Sequence, residues 1–468
     1  MKHSRNESLG SPEKKQKTDD EVQQSQNFSM AIRTGFDLKL ALANVQQNRA
    51  IGNVVTVWPF EDHPVPEQEE QEILDKLSEV NKEANKISQP YCFGTLDDSF
   101  YLKVTYPGCE FEASRIRYSD YSCDVDERTI QTWLKNAPVS GFGDNRVLET
   151  KVDPEVRRAC DIPAEGFEVE GELLETIAEI WSSNFLPSKV HVEPYKIHIY
   201  GKGGHFKSHR DTPEKLLVGT FLLGLADTAV SVSYRDSDIL DSGQVGNFCI
   251  GNIKRTAKSG QWVAFHPDVP HSVEPLARGC RAAIAFKIFS LEDVDVLEEA
   301  SRRYPSVIEQ TRTVLKNIKG QYGIVLQHHY PMGTDADGLV GVDAVILSAA
   351  KQVRPDTVEV IPVVVAIYEE RVDPYHEEDG LKSEVRTYVY PFTRHHVDIC
   401  LGRSDENTDS EKSVAWIKDV KDLPFYSWDF KKNSMKWSSE EQEINHTGNE
   451  SDGMRESSVY LAYAIVVL

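Results

Sequence analysis

Two histidines and an aspartate stand where they could bind one metal ion. His209 and Asp211 close the run Tyr200-Gly-Lys-Gly-Gly-His-Phe-Lys-Ser-His209-Arg-Asp211, and His271 closes His266-Pro-Asp-Val-Pro-His271 about sixty residues later. Two imidazoles and one carboxylate form the donor set of a facial triad, which suits non-haem iron(II) and leaves positions open for a co-substrate and dioxygen. The spacing has a physical logic. Residues i and i+2 of a strand share a face, so His209 and Asp211 can reach one ion while Arg210 points away. His271 is far enough along the chain to arrive from a second strand.

A basic group follows in the right place. Arg281 opens Arg281-Ala-Ala-Ile-Ala-Phe-Lys-Ile-Phe. Read as a strand, this puts Arg281, Ala283, Ala285 and Lys287 on one face and Ala282, Ile284, Phe286 and Ile288 on the other. A guanidinium beside two small alanines makes a slot with a fork at its end, suited to a carboxylate. The apolar face would pack on the body of the domain.

These residues resemble the Fe(II)/2-oxoglutarate dioxygenases of the prolyl 4-hydroxylase type, whose pattern reads Tyr-Gly-x-Gly-Gly-x-aromatic-x-x-His-x-Asp. Tyr200, Gly201, Gly203, Gly204, Phe206, His209 and Asp211 fill it, and the resemblance is specific over roughly residues 190–290. It implies that His209, Asp211 and His271 bind Fe(II). It also implies that Arg281 takes the distal carboxylate of 2-oxoglutarate with help from Tyr200 and Thr220. Dioxygen (O2) is the second co-substrate, succinate and carbon dioxide are products, and ascorbate is a candidate reductant. Phe206, His266 and Trp262 are candidates for the substrate pocket. Fainter matches at Ser140–Asp144, Asp153–Arg157 and Thr447–Glu450 resemble a subgroup from fungi and plants whose substrates are undefined. The chain departs from the pattern twice. It lacks a Gly-Gly-Glu-type turn after the Thr220 strand, and Phe206 stands where Tyr is common. Both changes bear on substrate rather than metal.

Other patterns compete weakly. His266-Pro-Asp268 repeats the His-x-Asp spacing, but Pro267 and Pro270 suit a turn better than a ligand strand. His205 reads as a loop histidine. The pairs His328-His329 and His395-His396 would point to opposite faces of a strand and read as structural or exposed. Gly201-Lys-Gly203 lacks the third glycine of a dinucleotide loop, and there is no nucleophile elbow, P-loop or Cys-x-x-Cys pair.

Composition bounds the partners. With 75 acidic against 52 basic residues the formal charge is −23, which disfavours nucleic acid and anionic membrane surfaces as partners. Seven cysteines, an odd number, read as free thiols of a reducing compartment. The N-terminus has no signal-peptide core and no apolar run is long enough to span a bilayer, so the expected location is cytoplasmic or nuclear.

The elements that must position the site follow from periodicity. The expected class is α+β: a double-stranded β-helix (jelly roll) core buttressed by helices, with a smaller C-terminal α/β accessory domain. Residues 1–30 read as a disordered tail, 31–189 as an N-terminal α/β buttress, 190–290 as the jelly-roll core, and 291–468 as helical connector and accessory domain. Amphipathic spacing predicts helices over Gln68–Ile87 and Gly171–Asn184 and a helical region over Leu291–Lys319. Strands are expected at Tyr322–Leu326, Val358–Tyr368 and Val385–Tyr390, with a helix near Ala344–Gln352. Such an accessory domain could cap the site, bind a partner or complete the fold. By resemblance, the leading function is hydroxylation of a prolyl or other residue of a protein substrate. An oxygenase acting on a small molecule, or a non-catalytic jelly-roll binding module, stands as the alternative.

Overall fold

A computed structural model of the chain describes residues 68–87, 89–96, 98–116, 125–144, 149–228, 246–331, 334–371, 383–391, 425–427, 446–447 and 460–468. The expected tail over 1–30, the pair His395-His396 and most of 405–437 lie outside these residues, as does the stretch 229–245 after the Thr220 strand.

Alternating apolar residues in the central third build two antiparallel sheets. The larger runs, edge to edge, Tyr91–Thr95, Gln261–Phe265, Leu217–Asp227, Arg281–Ser290, Val190–Tyr200 and Cys160–Pro163. The smaller runs Ile253–Arg255, Phe248–Ile250, His271–Val273, His205–His209 and Arg157–Arg158. Tyr200, Phe206, Phe248, Val263, Phe265 and Val273 form an apolar cluster between the two sheets.

The outer face of the larger sheet packs on helices. The Gly171–Asn184 helix buries Leu173, Ile177 and Trp181, the stripe that its 3.6-residue period demands. Leu77, Val80 and Ala84 do the same for Gln68–Ile87. The Leu291–Lys319 region becomes two helices, Val296–Arg303 and Pro305–Lys316. The first is capped by the Asp295 carboxylate on the Leu297 and Glu298 amides, and the second begins with proline, which has no amide hydrogen to leave unpaired there. A further helix, Glu127–Asn136, capped by Asp126, was not anticipated from the sequence.

A third sheet runs Ser383–Pro391, Val358–Arg371, Tyr460–Val467, Tyr322–Pro331 and Phe425–Ser427. The apolar Tyr460–Val467 strand thus lies in mid-sheet, between two strands from much earlier in the chain. The Gly341–Val353 helix packs against this sheet and against both connector helices. One continuous apolar cluster links Ile177, Phe221 and Ile284 to Ile324, Ile346 and Ile465, so the C-terminal elements share the core that backs the larger sheet. The fainter sequence matches also meet. Residues His446 and Thr447 pair with Asp144 and Gly143.

Candidate metal centre

The glycine run that opens the site is a turn no other residue fits well. Gly203 sits at φ +74°, and a Cβ on Gly204 would lie 2.7 Å from the Gly201 carbonyl. The turn is stitched by Gly203 N–H to Leu276 O and Gly204 N–H to Gly201 O, at 2.7 and 2.8 Å. It delivers the chain into His205–His209. There His209 stands directly across from His271 on the neighbouring strand, their ring centroids 4.2 Å apart. Asp211 lies just past the strand end but keeps the i+2 relationship. Side-chain donor atoms of His209, Asp211 and His271 all lie within 4.8 Å of one another, and all three residues are buried.

Hydrogen bonds set the direction of each donor. Nδ1 of His209 donates to Lys207 O at 2.8 Å, and Nδ1 of His271 donates to Val269 O at 2.9 Å. With both Nδ1 atoms committed to carbonyls, each Nε2 is left with its lone pair facing the cluster, the tautomer a metal ligand needs. Thr220 Oγ1 donates to Asp211 Oδ2 at 2.5 Å, while Oδ1 lies 3.8 Å from His271 Nε2. Burial, reinforced by the neighbouring His271, holds the His209 imidazole well below its ordinary pKa and so neutral. Phe206 stacks on His209 with centroids 3.6 Å apart and fixes the ring plane. The donor set fits a divalent metal.

The cluster opens on a cleft whose walls follow the strand parity. Arg281, Ala283, Ala285 and Lys287 line it, while Ala282, Ile284 and Ile288 are wholly buried in the helix-facing core. Phe286 reaches both because a bulge interrupts the pairing at Ala285/Phe286. Arg281 is buried and donates Nη1 to the Gly246 and Arg255 carbonyls at 3.0 and 3.3 Å. It forms no salt bridge among the described residues, and burial lowers its pKa from the ordinary value against the weaker opposing charge of Asp227 across the strand pair. A buried guanidinium lining the cleft with no carboxylate in salt-bridge contact fits an anionic ligand at that end.

Tyr200, directly across from Arg281, and Phe206 line the cleft. Thr220 does too, but its hydroxyl is committed to Asp211 rather than to a co-substrate. Two candidates fall elsewhere. His266 is fully buried behind the sheet, with Nδ1 on Val218 O and its ring edge-on to Trp181 and Phe185. Trp262 alternates with the inward Val263 and Phe265, so it turns outward to stack on Phe221. His205 caps nearby carbonyls and stays out of the cluster.

His198 and Arg157 are among the cleft residues that the sequence reading missed. His198 is two positions before Tyr200 on one strand, a parity that could have found it. Arg157 lies over the Phe206 ring, its centre 4.6 Å from the centroid, and binds Asp161, Gly141 O and His198. Burial would raise the Asp161 carboxyl; the Arg157 guanidinium, with His198 and Lys196, outweighs it and holds the group well below the carboxylate range. Lys287 is likewise committed, to Glu214.

No known family profile and no curated protein matches this chain. Among solved structures it is similar to a Pseudomonas putida prolyl-4-hydroxylase at 12% identity, covering 42% of this chain and 94% of that one, with a TM-score of 0.26. A prolyl hydroxylase from Trichoplax adhaerens, in complex with a hypoxia inducible factor peptide fragment, gives 15% identity, 48% and 94% coverage and a TM-score of 0.26. A 2OG-Fe(II) oxygenase family protein of Burkholderia pseudomallei gives 8%, 49%, 93% and 0.23. At these scores the likeness adds nothing to what the site's own geometry says.

Proposed function

We propose that this protein is an Fe(II)- and 2-oxoglutarate-dependent dioxygenase that hydroxylates a prolyl or other residue of a protein substrate. One observation carries the reading. Two imidazoles whose Nε2 atoms face the cluster and one carboxylate converge in a cleft that also holds a buried Arg281, which makes no salt bridge among the described residues. His209, Asp211 and His271 would hold the metal, and Arg281 with Tyr200 would hold the distal carboxylate of the keto acid. When bound, iron with 2-oxoglutarate supplies the oxidation of an unactivated C–H bond by dioxygen, with release of succinate and carbon dioxide.

The chain's own residues prepare that chemistry. Lys207 O and Val269 O fix the two imidazole tautomers, and Thr220 turns one Asp211 oxygen toward His271. Leu222, Phe248, Phe265 and Val273 wall the cleft with apolar surface that keeps water from the reacting centre. The protein substrate rests on the likeness of the Tyr200–Asp211 motif to the prolyl 4-hydroxylase type. Phe206 in place of tyrosine is the departure that bears on which residue is modified. Cytoplasm or nucleus is the proposed location, supported by Cys92, Cys109, Cys160, Cys249 and Cys280, which are free. No described helix is long and apolar enough to cross a membrane.

The test needs no substrate. Iron(II) and then 2-oxoglutarate, added without oxygen, should give the visible charge-transfer band of a chelated keto acid, and His209→Ala should abolish it. Iron binding without the band would remove the co-substrate, and no iron binding would remove the reading. Prolyl peptides that lose a one-oxygen mass gain when the protein is deleted would identify the substrate; their absence would turn the proposal away from proline.

A further inference from the structure

The turn between the Gln261–Phe265 strand and His271 bonds to both ligand strands. Its Pro267 carbonyl accepts the Asp211 amide at 2.9 Å, and its Asp268 carbonyl accepts Arg210 Nε at 2.9 Å. Its Val269 carbonyl accepts His271 Nδ1 at 2.9 Å, and its His266 carbonyl accepts the Val269 amide at 3.0 Å. All four carbonyls from residue 266 to 269 therefore have a partner, and two of those partners belong to candidate ligands. A shift of this turn would move the Asp211 backbone and the acceptor that sets the His271 tautomer.

What holds the turn comes from the C-terminal third. The buried Asp268 carboxylate receives His328 Nδ1 at 2.9 and 3.2 Å and the His329 amide at 2.9 Å. Both histidines belong to the Tyr322–Pro331 strand of the third sheet. That strand is fixed in turn, because the Asp343 carboxylate of the Gly341–Val353 helix accepts the Gln327 and His328 amides at 2.8 and 2.9 Å and the Tyr330 hydroxyl at 2.7 Å. His266 fills the remaining space, its ring 4.7 Å from His328.

We propose that His328 is a positioning residue for the metal centre: through Asp268 it fixes the turn that orients Asp211 and His271, so the C-terminal sheet is part of the metal site. This rests on the metal reading above. It gives the C-terminal third a role that neither capping nor partner binding requires. A group hydrogen-bonded directly to a metal ligand changes metal affinity by about 10- to 100-fold in other sites; His328 acts one step further out, so its effect belongs at the lower end of that range.

The experiment uses the full chain and Co(II) alone as probe, read by its ligand-field spectrum, with far-ultraviolet circular dichroism as the folding control. His328→Ala should bind Co(II) at least about tenfold more weakly while His328→Asn, which can place a donor near the Nδ1 position, recovers much of the loss. Wild-type affinity in His328→Ala overturns the proposal, and so does an equal loss in both variants, since bulk rather than the Asp268 bond would then matter. A measurement on the unaltered chain guards against variants that do not fold. Coupling is reciprocal, so Co(II) should slow hydrogen exchange at the His328 and His329 amides; unchanged exchange overturns the proposal. Failure of the underlying reading looks different: the wild type would bind Co(II) no better than His209→Ala.

Discussion

Thr220 Oγ1 donates a 2.5 Å hydrogen bond to Asp211 Oδ2, and that bond decides which way the carboxylate faces. The remaining oxygen, Oδ1, lies 3.8 Å from His271 Nε2, close enough for both to reach one ion. Thr220 stands directly across from Lys287, and both face the cleft. A short hydroxyl on a rigid strand is a stiff way to aim a carboxylate.

Thr220→Val keeps the shape and removes the donor. We expect divalent-metal affinity to fall about tenfold with little change in thermal stability, and Thr220→Ser to restore most of it. Isothermal titration with Mn(II) checks this. Unchanged metal affinity with a raised 2-oxoglutarate requirement would return Thr220 to the co-substrate role expected from sequence.

Arg281 separates metal binding from co-substrate binding. Arg281→Ala should raise the 2-oxoglutarate concentration needed for the visible band by roughly 100-fold, the effect of losing charge-assisted hydrogen bonds in a buried site. Metal affinity should stay near wild type. Arg281→Lys should recover only part, because an ammonium lacks the planar fork. Loss of both affinities together would make Arg281 structural.

The alternation along Arg281–Ser290 gives a sharper test of the cleft. Ala282 is wholly buried on the helix-facing side, and Ala283 lines the cleft. Ala282→Leu should cost about 1–3 kcal/mol of stability through overpacking and leave co-substrate binding per folded molecule intact. Ala283→Leu should do the reverse, unfolding near the wild-type temperature while blocking the keto acid. Thermal unfolding and the anaerobic visible titration read the two effects. If they exchange, the face assignment is wrong.

What was legible in the sequence was local. The His209/Asp211 pair and the faces of the Arg281 strand follow from spacing within a dozen residues, where backbone geometry leaves few choices; the glycines are legible from the resemblance alone. The Gln68–Ile87 and Gly171–Asn184 helices follow from a sustained apolar stripe. The errors share one cause. Trp262 and His266 lie near His271 in sequence, but strand parity and the proline turn carry them to the opposite side of the sheet. His328 meets Asp268 across 60 positions, and nothing in either neighbourhood announces the pair. The Tyr460–Val467 strand enters mid-sheet from the far end of the chain, which periodicity cannot reveal.

The same buried pair sets a pH dependence. Burial would lower the His328 pKa, but Asp268, and more weakly Asp343, outweigh it and push it up to about 9. Against an ordinary value of about 6.5, a raised pKa adds stability that is fully present below pH 6.5 and lost as pH rises through 9. The opposite sign holds for its neighbours. His266, by burial and the His328 charge, is held near 3, and His329, by burial and Arg210, near 4, so their contributions are lost as pH falls below 6.5. Asp268 lies below the carboxylate range despite its burial, and its share is also lost in acid. Tyr330, which hydrogen-bonds Asp343, stays protonated throughout. Buried thiols such as Cys92 and Cys280 add a loss above about pH 8.5, so the comparison must be with a variant. We expect the urea-unfolding free energy of the wild type to exceed that of His328→Gln most near pH 6.5. The difference should shrink by roughly 3 kcal/mol as pH rises past 9. A difference that stays constant over that range would mean His328 is held there by packing alone and carries no charge.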